Sequence, residues 1–170
     1  VTDRTLFAIG STSKAFTAFI MGTLVDEGKV EWDQPVRTYL PDFKMFAPYV
    51  TAHMTPRDLL IHDSGLPRYY IIWYGADRTM DDLYKSLQYL EPTKGFRTTF
   101  QYQNLMYMTA GYLESKMAGT SWQNLVKQRI MNPIGMKDSN FSVFDSQKAD
   151  DYALPYDEED GKIISTPFYT

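Results

Sequence analysis

The apolar stretch 15–25 is the sequence feature that most constrains how this chain can fold. Only Thr17, Gly22 and Thr23 interrupt its run of apolar side chains. The stretch is too short for the roughly 20 apolar residues that a membrane-spanning helix needs. A helix that is apolar on almost every face has to be covered by other elements. The sequence therefore predicts a buried helix over 11–27, at the centre of a helical cluster.

Capping residues and helical spacing predict four further helices. Thr55, followed by Pro56 and Asp58, has the pattern of a helix N-terminus with a capping box. A second capping box, Thr120-x-x-Gln123, predicts the start of the last helix. The predicted helices cover residues 55–62, 80–90, 103–117 and a segment that begins at Thr120 and ends before Pro133.

Short β elements are predicted near both ends of the chain. Residues 7–9 have the composition of the end of a strand, and Gly10 follows them. Near the other end, residues 152–156 and 162–166 flank Asp160-Gly161 and predict a hairpin. Residues 1–170 are thus expected to form one mostly helical domain with a little β structure at each end.

Composition excludes several classes of function. The net charge is −4 and the basic residues are dispersed, whereas a nucleic-acid-binding protein would carry a basic stripe. The chain has no cysteine, so thiol catalysis and disulfides are excluded. The two histidines, His53 and His62, do not form an H-E-x-x-H pattern. We therefore predict no metal site, no cofactor and no nucleic-acid partner.

A nucleophile is suggested at the start of the apolar helix. Ser11-Thr12-Ser13-Lys14 is an S-x-x-K sequence, in which the first and last residues share one helix face. The helix N-terminus favours the negative charge that develops on an activated serine. A lysine whose pKa is lowered by burial could accept the serine proton. A chance S-x-x-K on a solvated helix face is the alternative.

A second polar group stands at the start of the predicted helix 103–117. Tyr102-Gln103-Asn104 is a Y-x-N sequence. The Tyr102 phenol could relay a proton, and Asn104 could orient Lys14 or a substrate amide. By itself, Tyr102 could equally be one of 13 tyrosines that pack a core. Its occurrence together with S-x-x-K favours the catalytic interpretation.

Five segments resemble the class C β-lactamases and the related esterases and D,D-peptidases. These are IGSTSKAFTA, LLIHDSGLP, FRTTFQYQNLMY, NPIGM and ALPY, in the order found in that superfamily. The resemblance implies the mostly helical portion of an α/β (α+β) β-lactamase/D,D-peptidase-like fold. It also implies that Ser11 is acylated, that Lys14 and Tyr102 transfer its proton, and that Asn104 contacts Lys14 and the substrate. The backbone N–H of Ser11 would form half of an oxyanion hole.

The same resemblance assigns a structural role to His62, Ser64 and Gly65, which would shape a loop near the site. Asp63 stands where the family usually has threonine, a departure expected to alter this loop but not the nucleophile. No K-T-G or H-x-G triad follows Tyr102 in the chain. In the family that triad supplies the opposite wall of the site and a second oxyanion donor. We expect it to lie outside these residues, so that the fragment alone would be inactive.

The sequence thus predicts a serine hydrolase that forms an acyl-enzyme on Ser11. The open substrate classes are β-lactams, D-amino-acid peptides and small esters, and the oligomeric state is also left open. The resemblance implies a periplasmic or secreted location. The competing hypothesis is a catalytically inactive binding or scaffold protein that kept the fold.

Overall fold

The computed structural model describes residues 1–168, which are mostly helical. Its helices are α1 (Lys14–Asp26), α2 (Pro48–His53), α3 (Pro56–Ile61), α4 (Met80–Ser86), α5 (Asn104–Ala118), α6 (Trp122–Val126), α7 (Asn132–Ile134) and α8 (Val143–Ser146). The strands β1 (Tyr156–Glu159) and β2 (Lys162–Ser165) form one antiparallel pair. This architecture confirms the predicted helical cluster with little β structure.

The helix α1 is preceded by one tighter turn. Gly10–Ser13 form a 3₁₀ turn that leads directly into the α-helix, and Gly10 takes a φ of +50°. The helix ends at Asp26, and Gly28 follows with a φ of +69°, which suits a residue without Cβ. The prediction of burial on every face was wrong, because the Phe19 side chain is about half exposed. An apolar composition alone did not reveal that one side of α1 has no covering element among residues 1–168.

The helices α1 and α5 lie together in the middle of the helical cluster. The helix α5 contacts α1, α3, α4 and α6, and α1 also contacts α6. Between them lie fully buried apolar side chains, such as Ile20 and Leu24 of α1 and Leu105 and Leu113 of α5. Because Lys14 begins α1 and Asn104 begins α5, this packing brings the two polar motifs to the same end of the helix pair.

The predicted boundaries hold for some helices and fail for others. The predicted helix 80–90 divides into α4 and a 3₁₀ turn, Leu87–Tyr89. The capping box predicted at Thr120 is wrong, since Ser121 is the N-cap and its side chain accepts a hydrogen bond from the Asn124 N–H. The chain then passes through a π-helical turn into α7, and Pro133 lies inside this helical run instead of ending it.

The β elements also differ from the prediction. The hairpin forms around Asp160-Gly161, but β1 starts at Tyr156 and includes the acidic residues that follow it. The strand predicted at 7–9 does not form, and one isolated parallel bridge joins Leu6 to Tyr152 instead. A strand needs a neighbour for its ladder of hydrogen bonds, and residues 1–168 offer this segment only that single bridge.

Candidate active site

Ser11 lies in the 3₁₀ turn that opens the α1 segment. The turn is solvent-exposed, so the Ser11 hydroxyl can be reached from outside. Backbone N–H groups in the first turn of a helix have no partner within the helix. The Ser11 N–H is therefore suited to donate to an oxygen atom held beside the hydroxyl.

Lys14 sits at the centre of the polar group. Its Nζ donates to Ser11 Oγ at 3.1 Å, to Tyr102 Oη at 2.6 Å and to Asn104 Oδ1 at 2.7 Å. A lysine ammonium has three N–H donors, and these three acceptors use all of them. The Lys14 side chain thus faces both hydroxyl groups.

Tyr102 completes the polar group, because its hydroxyl is also hydrogen-bonded to Ser11 Oγ. Partial burial raises the pKa of Tyr102, but its hydrogen bonds with Lys14 and with Ser11 act in the opposite direction. The positive charges of Lys14 and Arg68 lower the pKa further, and the net result lies below the usual value for tyrosine. This phenol is therefore easier to ionise than an ordinary one.

The position of Tyr102 depends on the segment that leads to it. The His62 carbonyl accepts from the Gln101 N–H at 2.7 Å, and His62 Nδ1 accepts from the Gln103 N–H at 3.1 Å. The Gly65 carbonyl accepts from the backbone N–H of Thr93 and of Lys94. A Cβ on Gly65 would lie 2.3 Å from the Lys94 carbonyl oxygen, so only glycine fits there. The loop after α3 thus holds the two residues that flank Tyr102.

An ion pair attaches the same segment to α3. Arg97 donates through Nε and a terminal nitrogen to both oxygens of Asp58, at 2.8 and 2.7 Å. The Asp58 side chain is 3% exposed and also accepts the Thr55 backbone N–H in the capping box. Arg97 has a φ of +60°, a conformation that costs energy for a residue with a Cβ. The pair with Asp58 offsets that cost.

The side chains of His62 and Asp63 differ in their hydrogen-bond partners. Burial lowers the pKa of His62, and the Lys14 charge lowers it further, so the ring is neutral at physiological pH. Its ring packs against Tyr102, with 4.5 Å between the ring centroids. In contrast, Asp63 Oδ1 is buried without a hydrogen-bond partner, and burial raises the pKa of this carboxyl. Asp63 does not contact Ser11, Lys14 or Tyr102 by any hydrogen bond within residues 1–168.

A cleft of about 380 Å³ opens beside the polar group. Its lining includes the polar side chains of Ser11, Lys14 and Asn104 and the apolar side chains of Met80, Met108 and Trp122. A cleft with both kinds of lining can receive a molecule that carries a reactive carbonyl and an apolar substituent.

The structure brings together the four residues that the two motifs singled out: Ser11, Lys14, Tyr102 and Asn104. His62, Ser64 and Gly65 lie in the loop after α3, which contacts the segment around Tyr102. Sequence reasoning missed Arg97, whose partner is far away in the chain, and Arg68, which follows the SGLP segment. No local pattern marks either arginine.

Two kinds of feature are absent from the part of the chain that the structure describes. No helix in it has the length and apolar character that crossing a membrane requires. Within the same residues, no cluster of three or more metal-ligating side chains is present.

Comparison with known proteins gives several relatives. The chain is 35% identical over 157 residues to "Unguisins hydrolase ungD'" of Aspergillus campestris (strain IBT 28561), an alignment that covers 86% of this chain and 29% of that protein. The solved octameric penicillin-binding protein homologue from Pyrococcus abyssi superposes with a TM-score of 0.77 at 26% identity. That match covers 96% of this chain and 39% of the solved one.

A second solved structure is the D-amino acid amidase from Ochrobactrum anthropi SV3, with a TM-score of 0.75 and 27% identity. It is matched over 97% of this chain and 48% of the amidase chain. The chain thus spans less than half the length of each of these three relatives. The family model described as Beta-lactamase matches residues 1–167, which include both polar motifs and every helix described above. The chain belongs to the Beta-lactamase family.

Proposed function

We propose that the complete protein is a serine hydrolase that forms an acyl-enzyme on Ser11. One observation supports this above all others. The hydroxyl of Ser11 is hydrogen-bonded to both Lys14 and Tyr102, in a turn that solvent can reach. A nucleophile in contact with a base, which is itself oriented by a third group, is the arrangement that covalent catalysis requires.

Tyr102 is the proposed general base. Lys14 Nζ lies within hydrogen-bond distance of Ser11 Oγ, Tyr102 Oη and Asn104 Oδ1, and an ammonium group there can donate to all three, so we assign Lys14 the role of a donor and not of the base. The lowered pKa of Tyr102 favours a phenolate, which accepts the proton as Ser11 Oγ attacks a carbonyl carbon. Lys14 stabilises that phenolate and is oriented by Asn104 Oδ1. The phenol then returns the proton to the leaving group.

The proposed substrates are carbonyl compounds with a leaving group that this proton can neutralise. β-Lactams, D-amino-acid peptides or amides and small esters all meet that condition. The names of the relatives, a hydrolase of unguisins and a D-amino acid amidase, favour an amide over an ester. The Ser11 N–H supplies one oxyanion donor in this proposal. The mechanism also needs a second donor, which the resemblance places on the K-T-G or H-x-G triad.

Covalent labelling tests the proposal. The complete protein is treated with a fluorophosphonate or a fluorescent penicillin, and the added mass is located by peptide mass spectrometry. We expect the label on the peptide that contains Ser11, and none in Ser11→Ala. Ser86→Ala is a matched control, because the Ser86 hydroxyl donates to the Leu83 carbonyl within α4 and has no other side-chain hydrogen bond among residues 1–168. This control should label as the unmodified protein does.

The same experiment separates the hydrolase from an inactive scaffold. A scaffold would bind such compounds without any mass added at Ser11, under conditions that label a known serine hydrolase. Label found on another serine, with Ser11→Ala unaffected, would remove Ser11 from the mechanism.

A further inference from the structure

We propose that Arg68 is a positioning residue for acylation, which holds a positive charge over the ring of Tyr102 and stabilises the phenolate. The inference deepens the proposed function and rests on it for its catalytic meaning. Arg68 lies outside both polar motifs, in the connection between the SGLP segment and α4. It makes no hydrogen bond with Ser11, Lys14 or Asn104 within the described residues.

The first support is the geometry of the guanidinium group. Its central carbon lies 4.9 Å from the centroid of the Tyr102 ring, within the range of a cation–π contact. Such a contact strengthens when the ring carries the negative charge of a phenolate, because the attraction then includes a full charge. Arg68 therefore favours the ionised form of Tyr102 over the neutral one.

The second support is that both the side chain and the backbone of Arg68 are held in place. One guanidinium nitrogen donates to the Tyr70 hydroxyl. The Arg68 carbonyl accepts from the Trp73 indole N–H at 3.2 Å. Just before Arg68, the Pro67 carbonyl accepts from the side-chain amide of Gln103, a fully buried residue next to Tyr102. These contacts hold the guanidinium group and the backbone of Arg68 beside the segment that carries Tyr102.

The third support is the absence of a competing partner. Each of the ion pairs among residues 1–168 uses a lysine or arginine other than Arg68. A carboxylate next to the guanidinium would cancel much of its effect on Tyr102. The side-chain hydrogen bond of Arg68 within these residues goes to the Tyr70 hydroxyl, so no ion pair there cancels its charge on the Tyr102 ring.

Three other titratable groups face Tyr102, and only one of them carries a positive charge. Lys14, at the start of α1, donates directly to the Tyr102 hydroxyl. His62 lies against one face of the ring and is neutral, because burial lowers its pKa. Tyr107 of α5 is uncharged, since burial raises its pKa. Arg68 is thus the second cation on Tyr102, and it reaches the ring from a different element than Lys14.

The test measures the ionisation of Tyr102 directly. Tyrosine labelled with ¹³C at Cζ is incorporated into the protein, and the Tyr102 signal is identified by its loss in Tyr102→Phe. Its titration is followed by NMR in the unmodified protein, Arg68→Gln, Arg68→Lys and Arg78→Gln. Arg78 is a control on the same connection, an exposed arginine whose charge acts on Asp82 of α4.

We expect Arg68→Gln to raise the Tyr102 titration midpoint by about half a pH unit, as for one charge about 5 Å away in a solvated site. Arg68→Lys should recover part of that shift, and Arg78→Gln should cause none. High salt should reduce the difference between the unmodified protein and Arg68→Gln. An unchanged midpoint in Arg68→Gln overturns the proposal, as does an equal shift in Arg78→Gln.

Turnover measurements on the same variants show whether Arg68 affects catalysis. With p-nitrophenyl acetate, which is neutral, the acid limb of the pH profile of kcat/KM should move in Arg68→Gln by the same amount as the midpoint. If Arg68→Gln instead weakens only an anionic substrate such as nitrocefin, through KM, Arg68 binds a substrate carboxylate and the proposal is wrong. A Ser11→Ala variant with full turnover would refute the proposed function, whereas the Tyr102 titration would still decide the effect of Arg68 on the phenol.

Discussion

At the scale of single residues, one ammonium group organises the site. Lys14 Nζ contacts the hydroxyl of Ser11, the phenol of Tyr102 and the amide of Asn104 at the same time. The sequence suggested that Lys14 accepts the serine proton, and the resemblance implied that Lys14 and Tyr102 both transfer it. The mechanism that we propose divides these roles, so that Tyr102 accepts the proton and Lys14 stabilises the resulting charge. In that proposal, Lys14 and Tyr102 serve one step of the reaction.

We expect a double-mutant cycle to show this dependence. Lys14→Met and Tyr102→Phe should each lower kcat/KM by about 10²–10⁴-fold, the usual contribution of general acid–base catalysis. The double variant should be little worse than the worse single variant, because both changes disable the same proton transfer. Tyr112→Phe is a control, since the Tyr112 ring stacks on Tyr84 within the core. Losses that multiply in the double variant would place the two residues in separate steps.

At the scale of elements, the loop after α3 and the segment before α5 behave as one unit. The loop carbonyls bind the segment through the backbone, and Arg97 binds it to Asp58 of α3. Asp58 also belongs to the capping box of α3. The helix start and the position of Tyr102 are thus held by one carboxylate.

Local patterns predicted the parts of this unit that lie close together in the chain. The Thr55–Asp58 capping box was predicted because its two residues are three apart and every contact is local. The pair of Arg97 with Asp58 spans 39 residues, and only the packing of α3 against the rest brings the two together. The predicted strand 7–9 failed for a related reason, since a local pattern says nothing about the neighbour a strand needs.

Loss of the Arg97 side chain should destabilise the fold more than loss of a similar arginine at the surface. Arg97→Met leaves the buried Asp58 carboxylate without its cation, which we expect to lower the free energy of unfolding by about 2–4 kcal/mol. Arg57→Met removes an arginine whose partner, Asp33, is 73% exposed, and should cost less than about 1 kcal/mol. Urea unfolding of both variants measures the difference. Equal losses would mean that burial of Asp58 does not matter.

At the scale of the whole molecule, one buried acid opposes the stability of the helical cluster. Glu114 of α5 is fully buried, and neither of its carboxylate oxygens has a hydrogen-bond partner among the described residues. Burial raises the pKa of Glu114 to about 9. The folded protein therefore keeps this carboxyl neutral at physiological pH, whereas the unfolded chain ionises it above its ordinary value of 4.5. Unfolding between these two values releases a proton.

This release gives the fold a stability that falls as pH rises. The folded state binds one more proton than the unfolded state between pH 4.5 and about 9. The contribution of Glu114 to the free energy of unfolding is therefore most favourable below pH 4.5 and falls as the pH rises towards about 9. One proton corresponds to a slope of at most about 1.4 kcal/mol per pH unit. Replacement by glutamine keeps the size of the side chain and removes the ionisation.

We expect Glu114→Gln to flatten the pH dependence of the free energy of unfolding. Whatever the difference in the free energy of unfolding at pH 5, it should change steadily in favour of the variant from pH 5 to pH 8. The reason is that an amide cannot release a proton in either state. Glu158→Gln, at an exposed position of β1, should run parallel to the unmodified protein. Denaturant unfolding at several pH values, with ionic strength held constant, measures all three proteins. A constant difference between Glu114→Gln and the unmodified protein would show that Glu114 has the same protonation in the folded and unfolded states. In that case the carboxylate must find partners that offset its burial, and α5 would carry a charge through the middle of the helical cluster.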